Sequence, residues 1–243
     1  MPADDGLVGV YDNSLRDVIA GQPRALAELL LHRDLSAEDV RFAPTELAGT
    51  TLRTDSVIEL GLACLHVEFQ LKASAFDIEP RLVAYWSRLR DHYGAAPLQH
   101  VVVLNPTGGR LSGRFSDGGL SLRYDVHHLW EIDASDLLRS PQLFPFAVLG
   151  RTDDREATLM AVVEHAHRAR LPNADAVRTV RNAVTLANIY LPRRTLERLL
   201  RRIDMPIDLR ELPMFQEARE EGREEGREEG RAEVRAEARA EAT

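Results

Sequence analysis

The sequence predicts an α/β fold with a mixed β-sheet in its first half, a helical subdomain after it, and a charged helical tail. Three observations carry this prediction. Short strand-like runs (40–47, 54–60, 64–71, 100–104) are interleaved with stretches of helical periodicity (15–32, 77–93), the pattern of strands and helices packed in layers. From Ala134 onward the periodicity is helical alone. From Glu217 the chain becomes a charged repeat with no apolar face. The units so defined are residues 1–133, 134–213 and 214–243.

Leu15 to His32 carries apolar residues at helical spacing (Leu15, Val18, Ile19, Leu26, Leu29, Leu30). Gly21-Gln22-Pro23 interrupts it, so a short turn followed by a helix is expected ahead of the strands. Val40 to Leu47, Thr54 to Leu60 and Cys64 to Leu71 read as three strands. The last two are separated by Gly61-Leu62-Ala63, the punctuation of a hairpin, and the three together suggest a meander. Asp77 to Tyr93 reads as a helix with Ile78, Leu82, Tyr85, Trp86 and Leu89 on its apolar face and Gly94 as its C-cap. His100-Val-Val-Val-Leu104 is too short for a helix and apolar enough for a fully buried strand. Residues 105–119 are rich in Gly, Ser and Asn and read as a loop. Alternation of Leu120, Leu122, Tyr124, Val126 and His128 then predicts a half-buried strand. Helices are expected near 136–149, where prolines break the pattern, and over 153–168, 175–190 and 192–203.

In the tail, Arg219, Arg223, Arg227, Arg231, Arg235 and Arg239 recur every four residues. A four-residue period drifts around a helix and builds no coiled-coil seam, and each Gly costs roughly 1 kcal/mol of helix stability relative to Ala. The expectation is a fluctuating, solvated helix; the competing one is a segment that binds a protein partner.

The formal net charge is −8, and the ten Glu and six Arg from Glu217 onward supply half of it. Neither body nor tail is basic, which counts against a protein that coats DNA but leaves room for a local cationic groove. The segment Met1-Pro-Ala-Asp-Asp-Gly6 lacks the basic and apolar pattern of a leader, and no apolar run nears the roughly 20 residues that span a bilayer. With one cysteine, Cys64, and no disulfide partner for it, a cytoplasmic protein that does not span a membrane is expected.

Acidic residues within the strand-like segments are the strongest functional signal. On a strand alternate residues share a face, so Glu68 and Gln70 point one way and Val67 and Phe69 the other. If Gly61-Leu62 is a two-residue turn, Asp55 falls opposite Glu68. A four-residue loop would set it opposite Gln70, and Asp55 stays on the Glu68 face either way. Two carboxylates on neighbouring strands can hold a hard divalent cation such as Mg²⁺ (or Mn²⁺), which completes its shell with waters and phosphate oxygens. That arrangement suits phosphodiester hydrolysis. Gln70 could orient a water or phosphate oxygen, but an amide takes no proton. The base would then be a second water, the phosphate itself or Lys72.

An acidic residue on one strand, Glu-x-Gln on the next and a helix with Arg-x-x-x-Tyr together resemble the PD-(D/E)XK nuclease superfamily. More closely, Leu52-Arg-Thr-Asp-Ser-Val-Ile58, Leu65-His-Val-Glu-Phe-Gln70 and Arg81-Leu-Val-Ala-Tyr85 resemble the recombination-promoting nuclease and transposase-like group, the Rpn-like proteins. The Arg-Glu-Glu-Gly tail is similar to theirs too. The resemblance implies a restriction-endonuclease-like core (helix, three-strand meander, helix, strand) in a metal-dependent DNA endonuclease. In it Asp55 and Glu68 are metal ligands, Gln70 stands where the superfamily more often has lysine, and Arg81 and Tyr85 support the site or contact phosphate. One metal site cuts one strand, and two chains assembled as a homodimer could cut both.

Other readings of these residues stand beside this one. Asp55 could begin a strand, and Glu68 could pair across the sheet with Arg53 or Lys72. Arg81 and Tyr85 could cap a sheet edge. Glu59 reads as a solvated strand-end residue, and Glu28, on the first helix, as a surface glutamate or an auxiliary acid. Adjacent His127 and His128 face opposite sides of a strand, and His165 and His167 diverge around a helix, so neither pair suits zinc. Asn105-Pro-Thr-Gly-Gly-Arg110 lacks the ending of a phosphate loop. The function of another class is a catalytically silent nuclease fold, a scaffold that binds partners through its helical half and tail.

Overall fold

The computed structural model of the protein describes residues 5–43, 56–72, 74–107 and 110–203, with Leu212, Gln216, Arg223 and Arg227. Most of the tail lies outside these residues. Two helices come first, α1 (Asp5–Gly21) and α2 (Pro23–Leu31). The chain is therefore helical on both sides of Gln22, whereas the sequence suggested a turn ahead of a single helix. Pro23 begins α2, where a missing N–H leaves no helical bond unmade.

The main sheet has five strands in the order β1-β2-β3-β4-β7: β1 (Val40–Ala43), β2 (Ser56–Leu60), β3 (Ala63–Gln70), β4 (Leu98–Val103) and β7 (Asp125–His128). β1, β2 and β3 form the antiparallel meander. β4 lies parallel to β3, and β7 parallel to β4. Helix α3 (Ala75–Tyr93) is the crossover that parallel pairing requires. It ends at Gly94, whose φ of 69° lets its N–H reach the Arg90 carbonyl. Leu60 pairs with Ala63, so the hairpin turn is the two residues Gly61 and Leu62. Gly61 takes φ 60°, the left-handed value a primed turn needs at its first position.

Alternation divides the sheet into two faces. Ile58, Leu65, Val67, Phe69 and Val102 pack in one continuous core with α1, α2 and the helices of the second half, α5 (Arg155–Arg168), α6 (Asn173–Ala187) and α7 (Arg193–Leu200). The other face is covered by α3, whose Ile78 and Leu82 meet Val101 and Val103 while Tyr85 and Leu89 meet Val57 and Cys64. Cys64 is buried there, and desolvation pushes its thiol up to about 12. Among the described residues no helix is long and apolar enough to cross a membrane.

Two stretches differ from the sequence expectation. Residues 105–119, expected as a loop, contain β5 (Arg114–Asp117), which pairs with β6 (Leu120–Arg123) in a separate two-stranded ribbon. The expected strand 120–128 is thereby split between two sheets at Tyr124, whose N–H donates to the Gly113 carbonyl. In 136–149 the helix is short, α4 (Ala134–Leu137), and Pro141–Leu149 runs as a 3₁₀ helix. Pro145 within it cannot donate an amide bond.

Gly61→Val forces a β-branched residue into the left-handed region and is expected to lower stability by about 1–3 kcal/mol. Leu62→Lys, at the neighbouring and almost fully exposed position, should stay within about 0.5 kcal/mol of wild type. Urea denaturation of both variants checks the turn.

Candidate active site

Strand β3 sends His66, Glu68 and Gln70 to the face that α3 covers. His66 and Glu68 are wholly buried, at 0% exposure. A carboxylate there has lost its water, and such a loss is tolerated only when charge and hydrogen bonds replace it. Arg81, one turn above Tyr85 on α3, supplies the charge through an ion pair with Glu68 Oε1. Gln70 Nε2 donates to the same oxygen at 3.2 Å. His66 Nε2 faces Oε2 at 3.8 Å.

The histidine's tautomer follows from its neighbours. Gln99, on β4 beside His66 in the parallel register, donates Nε2 to the Leu82 carbonyl at 2.8 Å, which fixes its amide orientation. The same nitrogen lies 3.3 Å from His66 Nδ1, so Nδ1 accepts and the ring proton sits on Nε2, toward Glu68. Burial, reinforced by the charges of Arg81 and His100, pushes His66 down to about 3, and the ring stays neutral. Tyr85, 1% exposed, packs its ring 4.9 Å from that of His66 and covers it from the α3 side.

Asp55 lies outside the described residues. Its neighbour Ser56 pairs with Val67, the register of the two-residue turn. Lys72 is exposed two residues beyond the end of β3. Glu28 accepts the Leu35 amide at 3.1 Å in the turn after α2, and α2 packs on the opposite face of the sheet. Glu59 is half-buried and accepts the Tyr93 hydroxyl at 3.0 Å, so it is not the solvated residue its strand-end position suggested. Burial, with that bond second, raises the Tyr93 hydroxyl's affinity for its proton.

His66 and Gln99 were not singled out from the sequence. The parity that links Glu68 to Gln70 also includes His66, two residues earlier. Gln99 becomes its neighbour only through the parallel pairing of β4, which no local pattern reveals. On the opposite face His127 meets a partner from another strand, His100, at 2.7 Å. His128 turns away, toward Glu131 and Trp130.

Among the described residues no three His, Cys, Asp or Glu side chains are grouped to hold a metal. What the site offers a cation is one desolvated carboxylate that already carries a positive partner, and one amide, both hard oxygen donors of the kind Mg²⁺ takes. The residues present therefore fit part of a Mg²⁺ shell, and the second carboxylate expected for it is Asp55. Comparison with protein-family models, curated proteins and solved structures finds no match to this chain.

Desolvation also lowers His127, to about 4. His66 and His127 thus bind protons more weakly folded than unfolded, where an imidazole titrates near 6.5. Their contribution to stability is fully present above about pH 6.5 and is lost as pH falls toward 4 and then 3. The urea midpoint is expected to fall between about pH 7 and pH 5, and His66→Gln should shrink that fall. An equal fall in the variant would show that His66 titrates as an exposed residue.

Proposed function

We propose that this chain is a Mg²⁺-dependent DNA endonuclease whose site is built on Glu68, with Asp55 as the second ligand. The observation that carries the reading is the wholly buried Glu68 carboxylate, cation-paired and flanked by Gln70 near the end of β3. The strand arrangement supports it. An antiparallel meander, a crossover helix and a parallel strand follow one another in the order that resemblance to the PD-(D/E)XK nucleases implies.

When bound, Mg²⁺ supplies Lewis acidity to the scissile phosphate and lowers the pKa of a coordinated water. This chain's residues do the positioning. His66, held by Gln99, turns its Nε2 proton toward Glu68 Oε2 at 3.8 Å, within reach of the carboxylate should it shift on taking a cation, as partners of ligating groups do in metal sites generally. Gln70 orients a water or a phosphate oxygen. Arg81, whose side chain is 41% exposed, can leave Glu68 for a phosphate when another cation takes its place. His66 is not the base: it is neutral, its open nitrogen is occupied by Gln99, and its proton faces an acceptor. That leaves the solvent-exposed Lys72, a second water or the phosphate itself.

One observation favours the alternative, a catalytically silent nuclease fold. The Arg81–Glu68 ion pair neutralises the carboxylate without any metal, as a purely structural pair does.

Supercoiled DNA with Mg²⁺ or Mn²⁺ distinguishes the two readings. The nuclease reading expects nicking that is abolished by Asp55→Ala and by Glu68→Ala. His66→Gln should reduce it about 10–100-fold, the usual effect of removing a group that orients a metal ligand. Undiminished nicking in both alanine variants refutes the assignment. Calorimetric titration of Mg²⁺ that detects no site lost on Glu68→Gln supports the silent fold.

A further inference from the structure

The β5–β6 ribbon carries charge that its folding does not call for. Arg114 and Arg123 stand directly opposite each other across the two strands, and both are exposed. Like charges in that position destabilise a ribbon. Among the described residues neither they nor the nearby exposed Arg110 forms an ion pair. The next position on the same face is the pair Ser116 and Ser121, also exposed. One face of the ribbon is thus two guanidiniums and two hydroxyls.

The other face fixes where this one points. Leu122 is buried and Phe115 half-buried in the cluster that α3 forms with Val101 and Val103. Tyr124, immediately after β6, donates its hydroxyl to Glu79 of α3 at 2.8 Å. Glu79 lies two residues before Arg81, the partner of Glu68. The ribbon is therefore pinned to the side of the sheet that holds the candidate site, with its arginine and serine face outward.

From this we infer that the β5–β6 ribbon grips the phosphate backbone of duplex DNA, with Arg114 and Arg123 closing on phosphate and Ser116 and Ser121 donating to its oxygens. A phosphate between the two guanidiniums relieves their repulsion, and arginine's planar fork matches phosphate oxygens two at a time. A two-stranded ribbon also fits the width of the major groove. The choice of DNA among polyanions rests on the nuclease reading above. Because the chain as a whole carries −8, this patch should account for much of its attraction to DNA.

Fluorescence anisotropy with a labelled DNA duplex in EDTA tests binding without cutting. The full chain should bind, and Arg114→Gln/Arg123→Gln, with a melting temperature no lower than that of the wild type, should bind at least about 10-fold more weakly, with a log–log salt slope shallower by about 2. The inference is overturned if the wild type does not bind duplex, or if the double variant keeps wild-type affinity and slope. It is also overturned if the variant loses only its attachment to phosphatidylserine vesicles. Ribbon-dependent binding in a protein that never nicks DNA with Mg²⁺ would sustain the ribbon's role and refute the endonuclease.

Discussion

A carboxylate with no access to water sits inside this sheet, and the surrounding structure is arranged to make that tolerable. Glu68 is flanked on its own strand by apolar Val67 and Phe69, which belong to the main core. The strand cannot slip by one residue to expose the charge without turning those side chains out of that core. The anion must therefore be met where it is. Arg81 meets it with charge, Gln70 with a hydrogen bond, and His66 with a neutral ring whose proton points toward it.

Helix α3 is the element through which these demands are coordinated. It supplies Arg81 to the carboxylate, the Leu82 carbonyl that orients Gln99, and the Tyr85 ring that covers His66. At its start Glu79 anchors Tyr124 and so the ribbon. Because α3 is also the crossover between β3 and β4, the parallel pairing that brings Gln99 beside His66 and the helix that locks both come from one segment. Catalytic or silent, the site is built from the sheet's central pair and its crossover, where rigid elements hold side chains more precisely than loops do.

The parts legible in the sequence were those set by local rules. Gly61-Leu62 between two apolar runs marked the hairpin, and period-two alternation placed Glu68 and Gln70 together, while the choice between a two-residue and a four-residue loop came only with the pairing of Leu60 and Ala63. Gly94 marked the end of α3. The parts that were not legible depend on distant partners or on competing signals. The composition of residues 105–119 read as a loop, although Gly118-Gly119 between Phe115 and Leu122 is a two-residue hairpin turn. Alternation from Leu120 to His128 continued unbroken through Tyr124, because periodicity records which side a residue faces and not which strand it pairs with. His66 acquires its partner Gln99 only through the parallel pairing of β4 with β3. Asp55, on which the second half of the metal site depends, lies outside the described residues.

The claim at the centre of this account is that Glu68 is a seat for a cation, filled by Arg81 and open to Mg²⁺. Thermal denaturation of the wild type, Arg81→Met and Glu68→Gln, each with and without Mg²⁺, tests it most directly. The account predicts that Mg²⁺ stabilises the wild type, stabilises Arg81→Met more, since the variant leaves the buried carboxylate without its partner, and leaves Glu68→Gln unchanged. Equal shifts in all three proteins, or none in any, would contradict it.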